Sequence, residues 1–193
     1  MNAVWCKRIV PGISATILAL STGMIFAASN DKDDNRTFHA RLTGYQEVPA
    51  VSTTARGEFK AKIDPVTGVV DYELTYDGLQ GKVTQSHIHI GQRHTTGGIT
   101  IWLCQTTGTP APAAVAGVTP FCKEPGGTVT GSFSSANVIG PAAQLVTTGQ
   151  LDEVLEAMRA GAAYVNVHSS SNAATGSPGV PSGEIRGQLR RRP

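Results

Sequence analysis

From Thr37 onward the chain alternates between apolar and polar positions. In TFHARLTG, Phe38, Ala40 and Leu42 share one face, while His39 and Arg41 take the other. GEFKAKID repeats the pattern, with Phe59, Ala61 and Ile63 inward and Glu58, Lys60 and Lys62 outward. After the turn DPVTG, VVDYELTYDGL places Val70, Tyr72, Leu74 and Tyr76 on one side. A period of two predicts half-buried strands, and an Asp-Pro-x-x-Gly turn between two of them predicts a hairpin. The segment GYQEVPAVSTTARG, with Pro49, reads as a turn-rich link.

The stretch VTQSHIHIGQRHTTGGITIWLC supplies two more strands joined by a glycine-containing turn. Ile88 and Ile90 face one way, His87 and His89 the other; Ile99, Ile101 and Leu103 share a face of the second strand. GGTVTGSF and AAYVNVHSS read as further strands. In the latter Val165 and Val167 point inward, and Asn166 and His168 project from the opposite face. One segment changes period. TTGQLDEVLEAMRAG has Leu151, Val154, Leu155 and Met158 at i, i+3, i+4 and i+7, which predicts a helix over about 149–160. Thr148 is its expected N-cap, and Gly161 ends it. After a Gly/Pro/Ser-rich loop, GEIRGQLR is the last strand. Many short strands with one connecting helix predict an all-β fold, a Greek-key sandwich or barrel.

Composition adds three constraints. The 193 residues carry a net charge of +2 and only 16 % charged side chains, which gives no footing for nucleic acid as a partner. Lys7 and Arg8 precede an uncharged run from Ile9 to Ala27, and Ala27-x-Ser29 is an acceptable cleavage site. This reads as an export signal over 1–28, although a retained membrane anchor is the rival. A polar lead-in follows over 29–36, then one domain over 37–189, and a basic tail over 190–193. Cys6 leaves with the signal. Cys104 and Cys122 then remain as an even pair in an oxidising compartment, so a disulfide is expected, worth roughly 3 kcal/mol for a loop of this length. Its loop, QTTGTPAPAAVAGVTPF, shows little else to hold it.

Candidate chemistry centres on histidine. Residues i and i+2 of a strand project together, so His87 and His89 offer two imidazoles to one point. His168 joins them if its strand lies alongside. Three imidazoles suit copper or zinc. His94, in the following turn, and Glu184, on the last strand, are further candidate ligands. The alternative is that these histidines are hydrogen-bonded residues of a strand face, with Thr84, Gln85, Ser86 and Asn166 as neighbours. Tyr45, Tyr72, Tyr76, Tyr164 and Trp102 read as core or core-edge aromatics. No catalytic residue is assigned: there is no Gly-x-Ser-x-Gly elbow, no placed carboxylate pair and no phosphate-binding glycine loop.

Four blocks, GYQEVPAVSTTARGEFKAKID, VVDYELTYDGLQGKVTQSHIHIG, GAAYVNVHS and GEIRGQL, occur in order and resemble the signatures of the chordin-type CHRD family from about Thr37 to Leu189. The resemblance implies an exported immunoglobulin-like β-sandwich, often compared with the copper/zinc superoxide dismutase barrel. The expected role is a periplasmic or extracellular binding or structural module whose partner is a protein or polysaccharide. No contact with nucleic acid, or with membrane after signal removal, is expected. Copper or zinc binding by His87, His89 and His168 is the alternative, and dismutase-like redox activity stands third.

Overall fold

The computed structural model describes residues 35–191; the expected signal segment and most of the lead-in lie outside them. Among the described residues there are nine strands: β1 (Thr37–Thr43), β2 (Arg56–Ile63), β3 (Val70–Asp77), β4 (Lys82–Ile90), β5 (Ile99–Cys104), β6 (Gly127–Phe133), β7 (Ala163–Ser170), β8 (Ile185–Gln188) and β9 (Arg190–Arg191). They form one antiparallel sheet in the order β5-β4-β7-β8-β1-β2-β3-β6, with β9 pairing to β1. The basic tail therefore starts as strand, with Arg190 opposite His39.

The expected hairpin is β2–β3, registered from Ile63 opposite Val70 to Arg56 opposite Asp77. Alternation decides its faces. Phe59, Ala61, Val70, Tyr72, Leu74 and Tyr76 are buried, whereas Glu58, Lys60, Asp71 and Glu73 are exposed. Right-handed twist curls such a sheet, and here the two ends nearly meet. Tyr72, on β3, donates its hydroxyl hydrogen to the Leu103 carbonyl of β5 at 2.6 Å. The result is an almost closed barrel with the side chains of Phe38, Phe59, Leu74, Ile88, Ile101, Phe133, Val165 and Ile185 inside.

A disulfide joins Cys104, at the end of β5, to Cys122. The enclosed loop holds more structure than its composition promised. One helical turn, α1 (Ala113–Ala116), sits in it. The buried Gln105 amide donates to the carbonyls of Ala116 and Thr119 and accepts from the Ala111 N–H. A single buried side chain thus satisfies three backbone groups that would otherwise lack partners.

The helix α2 (Leu151–Arg159) packs Val154, Leu155 and Met158 inward. Gln150, not Thr148, occupies the N-cap, and its side chain accepts from the Thr147 N–H instead of from the helix. Gly161 follows the C-cap in the left-handed region, φ +68°. Among the described residues no helix is long and apolar enough to cross a membrane. Tyr45 is 72 % exposed and so is not a core aromatic; it lies in a short 3-10 turn, Gly44–Gln46, that turns its ring outward.

Candidate metal centre

β4, β7 and β8 carry the site. In β7 seven of eight residues are buried, so both faces of the strand are covered. The inner face holds Val165 and Val167. On the outer face β4 and β7 are registered with His87 opposite Asn166, His89 opposite Tyr164 and Gln85 opposite His168. Arg186 of β8 lies opposite Asn166, and Gln188 opposite Tyr164.

Two loops roof this face. The first, 91–98, is tied down by Arg186, which donates to the Thr95 carbonyl at 2.7 Å and the Gln92 carbonyl at 2.9 Å. Gln188 donates to the Gly91 carbonyl, and the Gly97 N–H donates to the Tyr164 hydroxyl. Gly97 must be glycine, because a Cβ there would overlap the Ile90 carbonyl. The Arg186 guanidinium also stacks over the Tyr164 ring at 3.4 Å, and the His89 ring lies parallel to the same tyrosine at 4.7 Å. The second roof is the chain from Pro181 to Glu184.

Under the roofs His87, His89 and His168 come together. They are 0 %, 6 % and 6 % exposed. One ring nitrogen from each lies within 4.8 Å of the other two. Among the described residues this is the one group of three metal-ligating side chains so arranged. Ligand nitrogens around a tetrahedral zinc ion stand about 3.4 Å apart at Zn–N distances of ~2.0–2.1 Å. His87 Nδ1 and His168 Nε2 are 3.1 Å apart, close to that spacing.

The backbone fixes two of the tautomers. His168 Nδ1 faces the Pro181 carbonyl at 2.9 Å, and His89 Nδ1 faces the Gly97 carbonyl at 2.9 Å. A carbonyl oxygen only accepts, so both Nδ1 atoms carry hydrogen and both Nε2 atoms present lone pairs. This arrangement, an imidazole held by a carbonyl on its far nitrogen, is the usual support of a metal-ligating histidine. His89 Nε2 and His87 Nε2 have no protein partner. Burial pushes His87 down to about 2, with the imidazoles of His168 and His89 adding to the effect. Burial also pushes His89 down to about 4, against the opposing Gly97 carbonyl, and lowers His168 against that of Pro181. All three rings are therefore neutral at ordinary pH, the form that ligates.

The other sequence candidates lie elsewhere. His94 is exposed at the tip of the roof loop, with φ +63°. Glu184 is fully buried but already occupied. It accepts from Ser169 and Thr53 hydroxyls and from the Gln80 and Gly81 N–H groups. Its role is to tie the link after β1, the β3–β4 turn and the end of β7 together. Glu47 was not a candidate, yet it is only 8 % exposed, and its Oε1 has no partner. Burial raises its pKa to about 7, against the pull of Arg186. It sits in what reads as an ordinary polar link, and only the roofing of the sheet turns it inward.

The match to a family model decides the family. The model of the CHRD domain covers residues 38–189. The chain belongs to the CHRD family. The match runs from the second residue of β1 through β8, stops short of β9, and includes every residue of the histidine cluster. Neither the curated proteins nor the solved structures include one that matches this chain. Family membership and the Cys104–Cys122 bridge fit an exported, extracellular-type module.

Proposed function

We propose that this CHRD domain is an extracytoplasmic metal-binding module, with His87, His89 and His168 holding zinc or copper. One observation carries the reading: three neutral imidazoles converge under a roof whose carbonyls fix the free nitrogen of two of them. A purely structural strand face would satisfy its polar atoms; here His89 Nε2, which carries the free lone pair of its ring, is buried without a hydrogen-bond partner. Buried unpaired donors and acceptors cost roughly 1–3 kcal/mol each, which bound metal would offset for the ligating atoms. Three nitrogen ligands suit zinc and copper over magnesium or calcium, which take oxygen. Bound metal would act as a Lewis acid or, for copper, as a redox centre; the protein's part is to hold neutral ligands in a dry, pre-shaped pocket.

The test is the metal content of the mature protein, purified without affinity tags from the exported fraction. Near-stoichiometric zinc or copper is expected, and a His87→Ala/His89→Ala variant that remains folded should lack it. A wild-type protein that stays metal-free after incubation with Zn(II), Cu(II) and Cu(I) would overturn the reading. The search would then move to a protein or polysaccharide partner for the module.

A further inference from the structure

Asn166 stands where the polar face does not balance. It projects from β7 and is 2 % exposed. Its Oδ1 lies 3.0 Å from His168 Nε2, and its side chain is also within interaction range of the His89 ring. His168 Nε2 bears no hydrogen, because the Pro181 carbonyl holds the proton on Nδ1. His89 Nε2 bears none for the same reason at Gly97. His87 Nδ1, 3.1 Å away, is the ring nitrogen that can donate to His168 Nε2; the amide oxygen itself faces the Nε2 lone pairs of His168 and His89 with no proton to share with either. Acceptor against acceptor, away from water, is unfavourable. A cation among them reverses the sign.

The orientation of the amide has its own support. Its Nδ2 is turned to a notch above Gly183: a Cβ built on that residue would stand 2.7 Å from Nδ2 and would collide with Glu47 Oε1. Gly183 has φ +130°, which side-chain-bearing residues rarely adopt, so the notch stays open. The unpartnered Glu47 oxygen faces the N–H end of the amide across it. A carboxyl oxygen there favours the rotamer that sends Nδ2 toward Glu47 and Oδ1 toward the histidines.

We infer that Asn166 Oδ1 is a fourth ligand beside His87, His89 and His168, with Glu47 as the positioning residue that sets the amide. The centre then takes a divalent ion, Zn(II) or Cu(II), in preference to Cu(I). This rests on the reading of the histidines as a metal centre. A hard amide oxygen in a four-ligand shell suits a borderline divalent ion, whereas Cu(I) favours soft sulfur ligands.

The experiment titrates the metal-free mature protein with Co(II), whose visible bands report its ligands, and then with Zn(II), Cu(II) and Cu(I) in competition. Wild type is compared with Asn166→Asp, Asn166→Leu, Glu47→Gln and His89→Ala, each checked for fold by circular dichroism. We expect four-coordinate Co(II) bands in wild type, displaced by Zn(II). Asn166→Asp should shift the bands and tighten Zn(II) binding about tenfold or more, because a charged oxygen replaces a neutral one at the metal. Asn166→Leu should weaken Zn(II) binding about ten- to a hundredfold, and Glu47→Gln should weaken it less. If Asn166→Leu does not fold, Asn166→Asp decides alone. Wild-type bands in either Asn166 variant would overturn the fourth ligand while the histidine centre stands. Preference for Cu(I) over Zn(II) would overturn the choice of divalent ion. Failure of wild type to take any of the four ions, like His89→Ala, would overturn the centre and with it this ligand.

Discussion

The β2–β3 half of the sheet and the β4–β7 half begin from the same alternating pattern and end differently. In β2 the residues run exposed and buried in turn, and Lys60 meets water on the outer face. In β7 nearly every position is buried. Both inner faces are apolar and fill the barrel. The outer face of β2 is solvated, so its charges cost the fold nothing. The outer face of β4 and β7 is roofed by 91–98 and 181–184, so His87, His89, Asn166 and His168 have all lost their water. Polar groups buried at that cost, with lone pairs left unpaired, are explained by a ligand better than by stability.

The largest effect should come from the face that both halves share. Ile88 is fully buried inside the barrel, between the two outward histidines of its own strand. Ile88→Ala removes apolar contacts and leaves a cavity, and should destabilise by about 2–5 kcal/mol in urea unfolding. The loss should be equal with and without zinc if the inner and outer faces act independently. A loss that depends strongly on zinc would show that the two faces are not separable.

Acid should strike the roofed half. His89 is held near 4 in the fold against 6.5 for the free group, chiefly by burial. A lowered histidine pKa means that the fold prefers the neutral ring. The stability this gives is fully present above about 6.5 and is lost as pH falls toward 4. The span corresponds to a loss on the order of 3 kcal/mol for this ring. His87, pushed down to about 2, extends the loss further into acid. Glu47 works in the opposite direction: raised to about 7 from 4.5 by burial, it contributes stability at acid pH that is lost as pH rises through 7. Three imidazoles against one carboxyl make net acid sensitivity the expected outcome for metal-free protein. Unfolding free energy flat from pH 7 to 4 would contradict the burial of these rings.

How much of this could be read from residues alone follows from the same contrast. Period-two alternation carried the strand faces, the β2–β3 hairpin and the shared side of His87 and His89, because side-chain direction is a local property. His168 also followed, once its strand was set beside β4. The roof did not. The carbonyls of Gly97 and Pro181, which fix the tautomers, belong to the backbone and leave no mark in side-chain chemistry. Glu47 and Arg186 read as ordinary polar residues, since nothing local shows that a loop will close over them. His94 was a candidate by nearness in sequence and Glu184 by its place on the last strand; the first is exposed in the roof loop, and the second already accepts four hydrogen bonds, neither of which a local pattern shows. Asn166 appeared as a neighbour of the histidines, but whether its amide donates or accepts is decided only by the carbonyl on the far side of each ring.

The sharpest comparison is between two small effects. His87 and Lys60 both point outward from their strands. His87→Leu in metal-free protein removes one buried ring nitrogen without a partner and one hydrogen bond to His168. These losses and gains oppose each other, so stability should stay within about 1 kcal/mol of wild type. Lys60 is half exposed beside Glu58, at 3.2 Å. Lys60→Ala should change stability by less than about 0.5 kcal/mol, because water replaces the ion pair at little cost. Zinc then separates them. An ion that binds only the folded state at a thousand times its dissociation constant stabilises by about 4.1 kcal/mol. Lys60→Ala should keep that increment whole, and His87→Leu should lose most of it. If both variants keep it, the outer face of β4 is as indifferent to metal as that of β2, and the roof must cover something else.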